Sequence, residues 1–226
     1  WQSTTAGYYS YRINTDRSAD SSLSALLKPY SDSVNKSMND VLGYNENTLE
    51  KKQPEGSLGS FMADAVLYIA EKKFKTHVDA ALVNSGGVRL NQLPAGNITR
   101  GKIFELMPFD NLIVLQKIKG TVLQELLDHV AARGGWPVAG ITMQIKNAKA
   151  VNIFIGEKKL DPAAEYTIAN SDYIANGGDD AVMLKSIPQQ NIGYLMRDAL
   201  IEYVSDITAK GKHITVNSSN RMSHAE

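Results

Sequence analysis

The strongest constraint on the fold lies between Ser57 and Gly87, where a helical apolar period gives way to a short unbroken apolar run and then a glycine turn. Over residues 57–74, Leu58, Phe61, Met62, Ala65, Val66, Ile69 and Ala70 recur at three- and four-residue steps, which lines one side of an α-helix. Lys72, Lys73 and Lys75 suit its C-terminal end, where the helix dipole is negative. Residues 80–83 follow as Ala-Ala-Leu-Val without polar alternation, the pattern of a strand covered on both faces, and Ser85-Gly86-Gly87 stops it. Any fold for this chain must cover that strand from two sides.

Other segments fill in around this pair. Apolar alternation at Tyr9, Tyr11 and Ile13 suggests an edge strand or an ordered lead-in. Leu23, Leu26, Leu27, Tyr30, Val34 and Met38 predict an amphipathic helix over residues 21–42, capped by Ser21 or Ser22, with a polar connector over 43–53. A short helix is expected at 100–107 behind Thr99, a strand at 112–118, and a helix at 121–132 ended by Gly134 and Gly135. Strands at 141–145, 150–155 and 166–170 follow, the first two alternating, with a turn at Gly156-Glu157. A last helix over 192–210 stops at Gly211, before a short strand at 214–216 and a polar tail. Strands clustered between helices predict an α+β domain, a mixed β-sheet packed with helices, rather than regular βαβ winding. The expected organisation is an N-terminal strand, connecting helix and linker over 1–50, and a main domain over 51–226.

Composition removes several function classes. Lys+Arg and Asp+Glu are both 24, so no net field draws the protein to nucleic acid polymers. No apolar run approaches the ~20 residues of a membrane span. Cysteine is absent, which excludes disulfides, thiolate metal sites and cysteine nucleophiles. The chain opens on Trp1 rather than Met, so a processed or trimmed N-terminus is expected. Neither a G-x-G-x-x-G fingerprint nor a Walker-type phosphate loop is present, and Ser85 lies in no G-x-S-x-G elbow.

Three polar, glycine-rich segments stand at the ends of predicted strands, where ligand sites are commonly built: residues 84–89, 107–111 and 172–180. Each alone fits a plain turn. Together they offer an amide (Asn84), a planar cation (Arg89), two flat rings (Phe109, Tyr173) and a carboxylate (Asp179), a set that suits a nucleotide. A base can lie between aromatic faces, a carboxylate can accept ribose hydroxyls, and an Arg can pair with phosphate oxygens.

The stretches Glu55-Gly56-Ser57-Leu58-Gly59-Ser60-Phe61-Met62-Ala63-Asp64-Ala65, Asn84 to Arg89, Pro108-Phe109, Lys119-Gly120 ahead of Leu123, and Tyr173 to Asp179 resemble, in order, the motifs of the C-terminal domain of 5'-nucleotidases. The resemblance covers about residues 20 to 220. It implies that Phe109 and Tyr173 are the stacking pair, Asp179 the ribose contact, Asn84 a base-edge contact and Arg89 the phosphate or ribose cation, with Asn176 a further binding residue of the same loop. Where relatives usually carry an additional Arg before the glutamate matched by Glu55, this chain has Lys51 and Lys52; Lys52 would keep the charge and lose the bidentate fork.

The same resemblance implies that hydrolysis belongs to a metallophosphatase domain holding two divalent metal ions, on another chain or removed from this one, and that this chain carries no catalytic residue, metal or cofactor of its own. His77, His129, His213 and His224 belong to no D-x-H or G-H-x-H arrangement. His129 beside Asp128 reads as a partly exposed surface histidine, and Trp136 with Pro137 as packing. The expected partners are a nucleotide or nucleoside and the metallophosphatase half, in an exported, periplasmic or cell-surface setting. The alternative is a non-enzymatic scaffold or surface domain that keeps the fold without its ligand.

Overall fold

The computed structural model describes residues 20–216 and 220–225, and the chain divides after residue 37 into two units. Beyond Asp20, the described residues of the first belong to helix α1 (Ser21–Met38), which ends on the first residue of the second unit and none of whose residues is buried. Its cap is Asp20, whose carboxylate accepts from the amides of Ser22 (2.9 Å) and Leu23 (3.2 Å), rather than Ser21 or Ser22. The lead-in expected around Tyr9 to Ile13 lies outside the described residues.

The second unit opens with strands where a connector was expected: β1 (Val41–Asn45) and β2 (Leu49–Glu50). Helix α2 (Ser57–Phe74) leads to β3 (Ala80–Leu82), as expected, and then to the short β4 (Gln92–Leu93) and β5 (Gly96–Thr99). β1 pairs with β5 and β2 with β4, both antiparallel, and Asn45, fully buried, donates its amide to the Leu93 carbonyl at 3.3 Å. Residues 38–50 are therefore part of the main body, which starts before the expected boundary at 51.

Helix α3 (Arg100–Leu106), strand β6 (Leu112–Lys119) and helix α4 (Gly120–Ala132) follow, then β7 (Val138–Ala139), the meander β8 (Ile141–Lys146), β9 (Lys149–Ile155) and β10 (Lys158–Lys159), and β11 (Glu165–Ser171). After the one-turn helix α5 (Asp172–Ala175), strand β12 (Gln189–Leu195) occupies the start of the expected last helix, and α6 (Met196–Ala209) begins only at Met196. Hydrogen bonding to β6 outweighs the helical period there: residues 189–191 and Leu195 pair with β6, across an irregularity at Gly193. The expected strand at 214–216 reduces to one bridge between Ile214 and Asn45. The polar tail instead supplies β13 (Met222–His224), parallel to β8. Arg221 fastens it, donating to both Asp64 carboxylate oxygens (2.7 and 2.8 Å) and to the Val138 carbonyl (2.9 Å).

The architecture is α+β. The central sheet has the order β12-β6-β11-β3-β7, with only β11 and β3 parallel. Its alternating side chains enter two cores. Ala81, Leu115 and Ala169 meet Phe61 and Ile69 of α2 and Leu200 and Val204 of α6; Leu82, Ile118 and Ile168 meet Leu123 and Leu127 of α4 and Ile141 and Ile153 of the second sheet, β10-β9-β8-β13. Each fully buried side chain of this size contributes about 1.5–3 kcal/mol, so the sheet is held firmly from both sides.

The lysines at the end of α2 reach across to α6. Lys72 pairs with Glu202 (2.8 Å) and Asp206 (2.5 Å), Lys73 with Glu202 (2.7 Å), and the Tyr194 hydroxyl donates to Glu202. Burial pushes the Glu202 carboxyl up, but the hydrogen bonds from Lys72, Lys73 and Tyr194 together outweigh it and bring it down to about 2.

Candidate functional site

Sheet topology decides which loops can meet. β3 and β11 run parallel as neighbours, so the turn after β3 and the loop after β11 leave the same edge; β6 is antiparallel to β11, so the segment entering β6 arrives there too. The three polar segments, 84–89, 107–111 and 172–180, therefore converge beyond the carboxyl ends of β3 and β11, where open sheets leave room for a ligand. The Asp172 carboxylate locks two of them together by accepting the Leu112 amide at 2.9 Å. The Arg89 amide donates to the Leu106 carbonyl at 3.1 Å and draws in the third.

Between them lies a cleft of about 320 Å³, lined by Asn84, Gly86, Gly87, Arg89, Phe109, Asn111, Tyr173 and Asp179. Phe109 and Tyr173 are 38% and 45% exposed, too open to serve as core packing. The Arg89 guanidinium lies 5.6 Å from the centre of the Phe109 ring, and no carboxylate pairs with it among the described residues. Neither Gly86 nor Gly87 needs a positive φ. A Cβ at Gly87 would lie 2.9 Å from Asn84 Oδ1, so a side chain there would displace the Asn84 amide from its place in the cleft.

Asp179 is the hub. Asn84, 7% exposed, donates its amide to Asp179 Oδ2 at 2.6 Å, and the Tyr173 hydroxyl donates to Oδ1 at 2.9 Å. The Asp179 amide returns a bond to the Tyr173 hydroxyl at 3.2 Å. Asp179 (φ 49°, ψ 34°) and Asp180 (φ 60°) both hold the left-handed conformation, which costs a non-glycine residue about 1–3 kcal/mol. Gly178 permits the close approach of the Tyr173 ring, because a Cβ there would sit 2.5 Å from its Cε1. Each carboxylate oxygen of Asp179 accepts one protein bond and keeps lone-pair capacity for another donor.

A sequence profile of the family described as 5'-nucleotidase, C-terminal domain, matches residues 33–186. The chain belongs to this family. Among relatives of this 5'-nucleotidase C-terminal domain, a 5'-nucleotidase of Vibrio parahaemolyticus is 28% identical over 206 residues, which is 85% of this chain and 35% of the relative. Protein UshA of Escherichia coli is 27% identical over 147 residues, 61% of this chain and 26% of that protein. The crystal structure of a 5'-nucleotidase precursor from Thermus thermophilus superposes with a TM-score of 0.77 at 24% identity, covering 89% of this chain and 43% of that one, a likeness of fold. The chain spans about a third of the length of the first curated relatives it matches.

Within this 5'-nucleotidase C-terminal domain the cleft brings together Asn84, Arg89, Phe109, Tyr173 and Asp179, and it leaves two expected residues outside. Asn176 lines a neighbouring groove that shares Tyr173 and Asn111 with the cleft; its amide donates to the Asp172 carbonyl (2.8 Å) and its oxygen accepts from Gln189 (3.0 Å). Lys52 borders a small recess with Glu55, Trp136 and Arg221, while Lys51 donates to the Val88 carbonyl at 2.8 Å. Ser85 is occupied too, its hydroxyl donating to the Gly135 carbonyl at 3.0 Å. Two contributors escaped the sequence reading. Asn111 lines the cleft two residues beyond Phe109, and Arg197, at the start of α6, donates to the Phe109 carbonyl (3.3 Å) and to Asp110 (2.7 Å). The Asp110-Asn111 pair was itself the available signal for the first; a lone Arg at a helix start gave none for the second. Among the described residues no three His, Asp or Glu side chains cluster closely enough to hold a metal ion. No helix among them is long and apolar enough to cross a membrane.

Proposed function

We propose that this domain recognises a nucleotide or nucleoside whose phosphate ester is hydrolysed by a metallophosphatase domain. The observation that carries this reading is the convergence of two half-exposed rings, an unpaired guanidinium and a prearranged carboxylate on one cleft. Phe109 and Tyr173 offer faces to the base, each stack being worth about 1–3 kcal/mol. Asp179 accepts ribose hydroxyls through its remaining lone pairs, Arg89 takes a phosphate or ribose oxygen, and Asn84, with one amide hydrogen on Asp179, keeps its other groups for a ligand edge. The divalent metals reside on the metallophosphatase half, and this chain binds and orients. An exported setting, periplasmic or cell-surface, accords with the relative named as a precursor.

Calorimetric titration of the chain with AMP, adenosine and a UDP-sugar tests this. Binding is expected, and it weakens when Phe109 or Tyr173 is changed to Ala. No heat with any of the three, alone or with a metallophosphatase partner added, would leave a ligand-free scaffold as the better account.

A further inference from the structure

The cleft's central carboxylate sits on a backbone that its own residues do not favour, and one side chain outside the cleft holds that backbone from behind. His129, on α4, places Nε2 2.8 Å from the main-chain carbonyl oxygen of Asp179. Its Nδ1 lies 3.4 Å from Arg133 Nη1, one turn further along the helix. A carbonyl can only accept and a guanidinium can only donate, so the ring is the neutral tautomer with hydrogen on Nε2: Arg133 donates into Nδ1 and Nε2–H donates to Asp179. The same Arg133 donates to the Asp180 carboxylate at 2.6 Å, which fastens the second left-handed residue. Trp136, 3% exposed, meets the imidazole edge-on with ring centres 5.8 Å apart and limits its rotation. Asp128 points elsewhere, onto Lys149 and the Ala150 amide, so the neighbouring carboxylate does not orient this ring.

We infer that His129 is a positioning residue for ligand binding, which as the Nε2–H tautomer set by Arg133 holds the Asp179 carbonyl and so keeps the Asp179 carboxylate aimed into the cleft. His129 does not line the cleft and acts only through Asp179. The inference rests on Asp179 being a ligand contact, as proposed above, but the tautomer and the loop conformation can be measured without any ligand.

The test combines both kinds of measurement on the full chain. Long-range nitrogen–proton NMR of the imidazole should show a neutral ring protonated at Nε2, and His129→Ala should shift the backbone amides of Asp179 and Asp180. AMP affinity should fall about tenfold in His129→Ala, the size of one lost hydrogen bond, and recover in His129→Gln, whose side-chain amide can donate near the Nε2 position. In an Asp179→Ala background, His129→Ala should have no further effect on AMP affinity. A ring protonated at Nδ1 would overturn the inference, as would equal AMP losses in the Ala and Gln variants or additive losses with Asp179→Ala. If none of AMP, adenosine and a UDP-sugar binds the unaltered chain, alone or with a metallophosphatase partner, the proposed function fails; unmoved amides of Asp179 and Asp180 in His129→Ala would separately sink the positioning role.

Discussion

The two walls of the cleft are built on different principles. The Tyr173–Asp179 wall is tied to itself and to neighbouring loops by short polar contacts from Asn84, Tyr173, His129 and Arg133, which together hold two aspartates in an unfavourable conformation. The Phe109 wall has fewer ties: the Met196 amide donates to the Asn111 carbonyl (2.9 Å), Asp172 holds the Leu112 amide, and Arg197, whose guanidinium lies 4.3 Å from the Phe104 ring centre, reaches the Phe109 carbonyl and Asp110. One wall is thus set before a ligand arrives by a web of side chains, and the other is held by fewer ties. A nucleotide site of the kind proposed above would gain from that asymmetry, because hydroxyl recognition depends on angles and stacking does not.

The largest expected effect comes from breaking the rigid wall. Gly178→Ala puts a Cβ into the Tyr173 ring, so nucleoside affinity should drop tenfold or more and stability by about 1–3 kcal/mol, measured by calorimetry and thermal unfolding. Next is the pliant wall: Arg197→Ala frees the Phe109 segment and should cost about 1–2 kcal/mol in AMP binding, a loss that Arg197→Lys does not restore because a point charge cannot serve both acceptors and the Phe104 face. A full recovery with Lys would show that Arg197 acts by charge alone. Tyr173→Phe keeps the ring and removes its bonds to Asp179; a stability loss of about 0.5–1.5 kcal/mol is expected, with a smaller affinity loss than Tyr173→Ala. The smallest effect on the cleft should come from Glu202→Gln, which at neutral pH leaves AMP affinity unchanged. Its signature is in acid. The Glu202 pKa is near 2 folded against 4.5 as an ordinary glutamate, so its contribution is complete above about pH 4.5 and fades as pH falls toward 2. Denaturant titrations across that window should be flatter for Glu202→Gln, and parallel curves would remove Glu202 from the acid response.

Which parts of this were readable from the chain follows from how local their causes are. α2 and β3 were readable because their burial repeats within a few residues, and the cleft segments because glycines and ring-bearing residues mark strand ends. α1 shows the limit: it has the same length as α2 and a clear apolar period, yet Leu26 and Tyr30 are 67% and 71% exposed. A stripe at helical spacing records a face suited to burial, and nothing in it names the partner. β12 was hidden because Leu195, Met196, Ala199 and Leu200 continue a helical period across a boundary that only pairing with β6 defines. β13 was hidden because its anchors, Asp64 and Val138, are far away in sequence. Asn176, inside the Tyr173-to-Asp179 motif, and Lys52, at the position where relatives usually carry an Arg, came from the resemblance; the structure puts Asn176 on a neighbouring groove and Lys52 on the recess with Glu55, which spacing alone does not report.

The indole behind His129 has a practical consequence. Of the two tryptophans, Trp1 lies outside the described residues and Trp136 is packed against the imidazole that grips the cleft's central loop. In a Trp1→Phe background all indole fluorescence would come from that one spot, so a change in emission on adding AMP would report how the loop responds without any attached dye.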